Sequence, residues 1–310
     1  MAAAKVARVL SRGRARPVAH CGPVMTRVRV PRLLLTALLG VGALACRRAS
    51  PPAPGLESVA DSEGLAIDAD GTVYFSQPSA VGRLTPAGKL EKEWARLPGA
   101  TKTWGIAIDR PHRVLYIGSP ATSTVYRVTL EDSPTVTSFV ANAGAPNGLT
   151  MGPDGALYYT DYAPAGDVWR VTADGARAKV TTSPFARPNG IAFGPDGALY
   201  VDLYELGAVS RLTLAGAKET ARADFIASGL DKADGIAFDS AGNVYIGWGE
   251  GISRVSPDGR TITKLAKGKT ANVEFGAGAI ASTYLYAVTE KKLVRIPNDL
   301  AGAPVRWHQP

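Results

Sequence analysis

The chain has only two cysteines in 310 residues, Cys21 and Cys46, and both stand in its first 46 positions. The rest therefore holds no disulfide and no thiolate ligand. Histidine is almost as scarce: His20 lies in the leader, His112 in an expected outer turn and His308 near the terminus. No long helical periodicity appears after residue 50, and no apolar run reaches the ~20 residues that span a bilayer as a helix. Acid is missing from residues 1–49, which carry ten lysines and arginines. The formal charge of +8 comes from that stretch, because the remainder has 25 basic against 27 acidic residues. Such a body has no basic surplus for phosphate, which argues against nucleic acid as a partner.

The leader reads as a targeting signal. Arg27, Arg29 and Arg32 precede a 13-residue apolar run at 33–45, which ends in small residues before Cys46. "ALAC" resembles the lipobox of bacterial lipoproteins, with Ala43 where leucine is usual. The expected organisation is an upstream extension at 1–24, a signal peptide at 25–45 beginning at Met25, and a Pro-rich tether at 46–55 lipidated on Cys46. This implies a bacterial envelope protein joined to the membrane by an N-terminal lipid anchor, facing the periplasm or the exterior. Simple secretion is the alternative.

What is abundant is repetition. Gly64, Gly105, Gly148, Gly190, Gly235 and Gly276 recur at intervals of 41, 43, 42, 45 and 41 residues. Each is followed by a Tyr-centred β-branched run such as "TVYFS" or "ALYVD". An arginine then follows in a short strand: Arg83, Arg127, Arg170, Arg211, Arg254 and Arg295. "GPDG" supplies the turn between the first two strands of a unit. Units of about 42 residues with four strands each are blades of a β-propeller. The fold class is thus all-β: a six-bladed propeller over 56–310 with four antiparallel strands per blade. The second residue after each glycine is small (Ala66, Ala107, Thr150, Ala192, Ala237, Gly278), as inner strands crowding an axis require. Either "LESVA" at 56–60 or "APVRWH" at 303–308 closes the ring. The repeated arginines are read as structural.

The residues before the glycines are Glu63, Trp104, Asn147, Asn189, Asp234 and Phe275. Asn-Gly is ordinarily a turn dipeptide, but each unit already has a later turn, and Trp and Phe take the same place in two blades. Four of the six carry side-chain oxygen, where composition gives about one in five. Equivalent positions of a propeller lie on one ring, so these oxygens converge at the channel mouth. Two carboxylates with two amides suit Ca²⁺ and not Zn²⁺.

Over 56–310 the sequence resembles the gluconolactonase, regucalcin and senescence-marker family, related to the luciferin-regenerating enzyme, paraoxonases and diisopropylfluorophosphatase. The resemblance implies Glu63, Asn147 in "APNGL", Asn189 in "RPNGI" and Asp234 in "ADGIAF" as ligands of one Ca²⁺. Asp234 is also implied as general base or nucleophile. Ala145 stands where regucalcin-type lactonases have a sugar-binding arginine, so the metal site carries over and sugar specificity does not.

The expected function is a calcium-dependent hydrolase that opens a lactone or similar ester. Trp104 and Phe275 are expected as pocket walls. Asp161, Tyr162, Asp202, Tyr204, Trp248 and Glu250, at or just beyond the ends of second strands, are expected to contact substrate. A non-catalytic NHL-like propeller that binds a protein or glycan is the alternative. A metal-dependent lyase on a similar propeller would need a histidine near the axis.

Overall fold

The computed structural model describes residues 57–58, 63–276 and 284–303. The leader, Cys46, the tether, Gly278 and residues 304–310, with His308, lie outside them. Six four-stranded antiparallel sheets follow one another. Strand β1 (Glu57–Ser58) comes first in the chain but belongs to the last sheet. Blade 1 is β2 (Leu65–Ile67), β3 (Val73–Gln77), β4 (Ala80–Leu84) and β5 (Leu90–Arg96). Blade 2 is β6 (Ile106–Asp109), β7 (Val114–Ser119), β8 (Thr124–Thr129) and β9 (Val136–Val140). Blade 3 is β10 (Pro146–Met151), β11 (Leu157–Asp161), β12 (Val168–Val171) and β13 (Arg177–Lys179). Blade 4 is β14 (Pro188–Phe193), β15 (Leu199–Leu203), β16 (Ala208–Ala215) and β17 (Lys218–Ile226). Blade 5 is β18 (Ile236–Phe238), β19 (Val244–Trp248), β20 (Gly251–Val255) and β21 (Ile262–Lys267). Blade 6 is β22 (Thr270–Phe275), β23 (Tyr284–Thr289), β24 (Lys292–Pro297) and β1. The sheets form a six-bladed propeller.

The first strands of neighbouring blades touch all the way round, β22 meeting β2 to close the circle. Each blade joins the next through its own apolar cluster. Val81, Trp94 and Ala95 of blade 1 meet Leu115, Ile117 and Val128 of blade 2, and Phe75 and Val73 of blade 1 meet Tyr286 and Val288 of blade 6. This is why second strands are buried on both faces and read as continuous apolar runs instead of alternating.

The three sequence landmarks are one hydrogen-bonded device. In blade 3, Asp154 of the "GPDG" turn accepts from Tyr158 Oη at 3.1 Å and from Arg170 Nε at 2.6 Å. Blade 4 repeats this with Asp196, Tyr200 and Arg211. The turn closes through Gly155 and Gly197, at φ of 72° and 78°, where an L side chain is strained. Arg170 and Arg211 are therefore structural, as expected.

Closure falls to the N-terminal segment. Glu57 pairs with Leu293 and Ser58 with Lys292, so β1 is the outer strand of blade 6. The segment Ala301–Ala303 goes elsewhere: Ala303 N–H donates to Phe238 at 2.8 Å and Gly302 bridges Asp239, across the end of the inner strand of blade 5.

Candidate metal and substrate site

The inner strands fix which residues share a level. Ala66, Ala107, Thr150, Ala192 and Ala237 pair with Tyr74, Tyr116, Tyr158, Tyr200 and Tyr245. Glu63, Trp104, Asn147, Asn189 and Asp234 stand three residues earlier in each strand and so form one ring. Each glycine after a ring residue lies against the next blade. A Cβ on Gly64, Gly105, Gly148 or Gly190 would sit 2.1–2.2 Å from the carbonyl oxygen of Trp104, Asn147, Asn189 or Asp234. No side chain fits there, and Asn-Gly here is not a turn: Asn147 and Asn189 lie inside β10 and β14.

Blade 6 departs from the expected alignment. Tyr286 pairs with Glu274, and the partner of Gly235 across the crowded axis is Ala271–Asn272. The sixth ring position is therefore Ala271, and Phe275 stands four residues further along. Phe275 lies at the far end of the channel, edge-on to Tyr245 at 5.1 Å with Gly302 packed against its ring. Eight residues separate β22 from β23, against four or five between the first two strands of the other blades, which displaced the alignment. It also puts the carboxyl of Glu274 at the level where the other blades have Ala or Thr.

Two adjoining cavities meet at the ring, sharing Glu63, Asp234 and Ala271. The channel below has a volume of about 800 Å³ and is also lined by Asn147 and Asn189. The basin above has about 550 Å³. Asn147, Asn189 and Asp234 are all buried. The Asn189 amide donates to the Asp234 carboxylate, while its Oδ1 is buried without a partner. Burial first, then the charge of Glu63, then that of Asp202, push the Asp234 carboxyl well above the usual range; Lys269 and Asn189 oppose the rise.

Asp202 has both oxygens buried and unpartnered, and is wholly inaccessible. Burial raises its carboxyl well above the usual range. It holds the place that Ser76 and Thr160 hold in blades 1 and 3. There the hydroxyls accept the N–H of Gly64 at 2.8 Å and of Gly148 at 2.9 Å, and Thr160 donates to the Asn189 carbonyl at 2.6 Å. Asp202 thus lies beneath the ring and not at the rim.

An unpaired amide oxygen and two ring carboxylates are a donor set that fits a hard divalent cation. No group of three or more His, Cys, Asp or Glu side chains suited to a metal occurs among the described residues; the donor set mixes two carboxylates with two amides. Further down, Glu274 lines the channel with its carboxyl pushed from 4.5 to about 7 by burial, against the pull of Arg110.

At the mouth the expected contacts divide. Trp104 and Tyr162 meet edge to face at 5.5 Å, and Tyr162 and Tyr204 at 5.7 Å. The Tyr204 hydroxyl is pushed up to about 12 by burial and by the charge of Asp234. These three form an aromatic wall beside the ring. Asp161 is a loop clamp, accepting the Ala145 N–H at 2.8 Å beneath Gly144. Trp248 is buried between blades 4 and 5 and donates Nε1–H to Ser253 at 3.0 Å. Glu250 is exposed and paired with Lys264 at 2.8 Å on the outer strand. Strand alternation gives the reason. Thr160, Asp202 and Gly247 point under the ring, Tyr162 and Tyr204 come two residues later, and Asp161 and Trp248 fall on the other parity. His112 is exposed and pairs with Asp109 at 2.8 Å, at the opposite end of the inner strand from Trp104.

Regucalcin from Agrobacterium tumefaciens, described as a calcium-binding protein, superposes with a TM-score of 0.65 at 19% identity, covering 82% of this chain and 95% of that one. A gluconolactonase from Xanthomonas campestris gives 0.64 at 20% identity, covering 77% and 86%. A catalytically inactive histidine-to-alanine form of virginiamycin B lyase from Staphylococcus aureus, with quinupristin, gives 0.58 at 18% identity, covering 82% and 87%. At these identities the likeness establishes the propeller and not the reaction. Among curated proteins none matches the sequence. Residues 56–290, nearly the whole propeller, match the virginiamycin B lyase family, and the chain belongs to it.

Proposed function

We propose that the protein is a calcium-dependent hydrolase that opens a lactone or similar ester at the ring formed by Glu63, Asn147, Asn189 and Asp234. The observation that carries this reading is the buried, unpartnered Oδ1 of Asn189 beside a carboxylate, at one level of four inner strands. Glu63 and Asp234 supply the negative charge, and Asn147 and Asn189 the neutral oxygens. When bound, the cation polarises the ester carbonyl. Asp234 takes a proton from water as the water oxygen bonds to the carbonyl carbon, and returns it to the leaving alkoxide when the C–O bond breaks. Trp104, Tyr162 and Tyr204 hold the acyl portion and keep bulk water from that side. The unmatched oxygens favour this over a non-catalytic scaffold, which gains nothing from burying them.

Family membership favours one other reading, elimination from an ester. The Staphylococcus aureus lyase loses activity with a histidine, whereas His112 sits away from the ring. Turnover of a panel of lactones and linear esters in ¹⁸O-water separates the two. A hydrolase incorporates one ¹⁸O into the acid and loses activity with chelator; an alkene product without ¹⁸O sinks the hydrolase reading. We further infer that Cys46 carries a lipid and holds the propeller at the bacterial envelope, on the strength of the short apolar run and the cysteine that ends it.

A further inference from the structure

The geometry points to a substrate that carries a carboxylate beside its ester or lactone, received by Lys102 and Lys269 in the basin above the ring. This names the substrate class of the hydrolase reading and rests on it for the reaction, but its charge argument is separate. Lys102, Lys269, Lys291 and Glu290 line the basin, with Glu63 and Asp234 where it meets the ring. Lys102 and Lys269 stand on anchored backbone. The Lys102 carbonyl accepts the Ser119 hydroxyl at 2.8 Å, and the Lys269 carbonyl accepts the Glu290 N–H at 2.9 Å.

Three of the other described lysines hold carboxylates: Lys89 holds Glu91 at 3.0 Å, Lys179 holds Asp167 at 3.7 Å and Lys264 holds Glu250 at 2.8 Å. Among the described residues no such pair is made by Lys102 or Lys269. Lys102 instead lies 4.7 Å over the Trp104 ring. Ammonium groups at the mouth of a cation site repel the cation, more strongly in an enclosed basin than in open water. A site for the cation alone is weakened by them; a site for a cation and an anion together is completed. Arg187, over the Tyr162 ring, is held by Glu205 at 2.9 Å. The mouth thus sets cationic groups beside an aromatic wall, Lys102 lying over Trp104 itself, which matches an acyl chain that carries a carboxylate.

The test uses γ-butyrolactone-γ-carboxylate and its primary amide, which share a shape and differ by one charge, with the full chain loaded with Ca²⁺. The carboxylate should exceed the amide in kcat/KM by about tenfold or more. Lys102→Gln with Lys269→Gln should bring the ratio near one, chiefly through KM. Lys264→Gln, which removes a lysine from the outer strand, should leave the ratio unchanged. Equal turnover of the two lactones by the unaltered protein, or a ratio unmoved in the double variant, overturns the proposal. If neither lactone opens, the hydrolase reading falls for this class, and calorimetry with 2-hydroxyglutarate, the ring-opened dicarboxylate, decides the basin. Binding about tenfold weaker in the double variant upholds the anion site; equal affinity, or no binding to either protein, rejects it.

Discussion

Blades 4 and 6 solve the same packing problem with opposite placements of charge. Blade 4 puts an amide, Asn189, on the ring and buries a carboxylate, Asp202, directly beneath it. Blade 6 has Ala271 on the ring and carries its carboxylate, Glu274, one turn of the channel lower. Asp202 has no counter-charge beside it and Glu274 has only the pull of Arg110, yet only the first adds its field to Asp234. A carboxylate near the ring raises the demand for a cation; the same group further down creates a separate, pH-sensitive weakness in the fold.

The largest effect expected from breaking this contrast is catalytic. Asp234→Asn should lower kcat by about a thousandfold while the thermal transition stays cooperative, because it removes the proton acceptor and one ring charge. Steady-state hydrolysis with a unfolding scan checks this, and full activity in the variant contradicts the assignment. Glu274→Gln should act on stability and not on chemistry. Its folded pKa lies above the unfolded one, so its contribution is favourable below pH 4.5 and is lost as pH rises toward about 7. Relative to the unaltered protein, the variant should therefore gain stability across that window and level off above it, by at most about 3 kcal/mol. Denaturant curves at pH 4.5 and pH 8 would show the difference. Asp202→Thr should stabilise the metal-free protein by about 1–2 kcal/mol, since the hydroxyl can make the bond that Thr160 makes one blade earlier. Denaturant curves of both proteins in chelator check this, and a variant less stable than the unaltered protein would argue that Asp202 is needed as a carboxylate. Smallest of all, Arg211→Ala on the exposed blade edge should cost under about 1 kcal/mol, because the pair it breaks with Asp196 is half in solvent.

The propeller was legible because its landmarks are physically joined. The turn aspartate, the second-strand tyrosine and the third-strand arginine bond to one another in blades 3 and 4, so there they recur together in sequence. Four ring donors were legible for a similar reason: close approach of inner strands forces a glycine after each, and the glycine marks the place. Blade 6 hid its register because the same approach is made there by Ala271 and Asn272. Its Gly276 stands ten residues before Tyr286 as Gly148 does before Tyr158, but belongs to a longer hairpin. The available signal was that no Pro, Asp or Asn stands between Phe275 and Tyr284, where each other blade has at least one before its Tyr-centred run. Trp248 could have been excluded by alternation, since it follows Gly247, which points under the ring. Lys102 and Lys269 carry no mark in sequence, because nothing about a surface lysine tells which partner it lacks.

The central claim is that four oxygens from four blades hold one divalent ion. Calorimetric titration of Ca²⁺ into the chelator-stripped protein, beside Glu63→Gln and Phe275→Leu, tests it most directly. One-to-one binding that falls about a hundredfold or more in Glu63→Gln and persists in Phe275→Leu is the expected result. Absence of binding, or equal binding by all three proteins, would contradict a metal site at the ring.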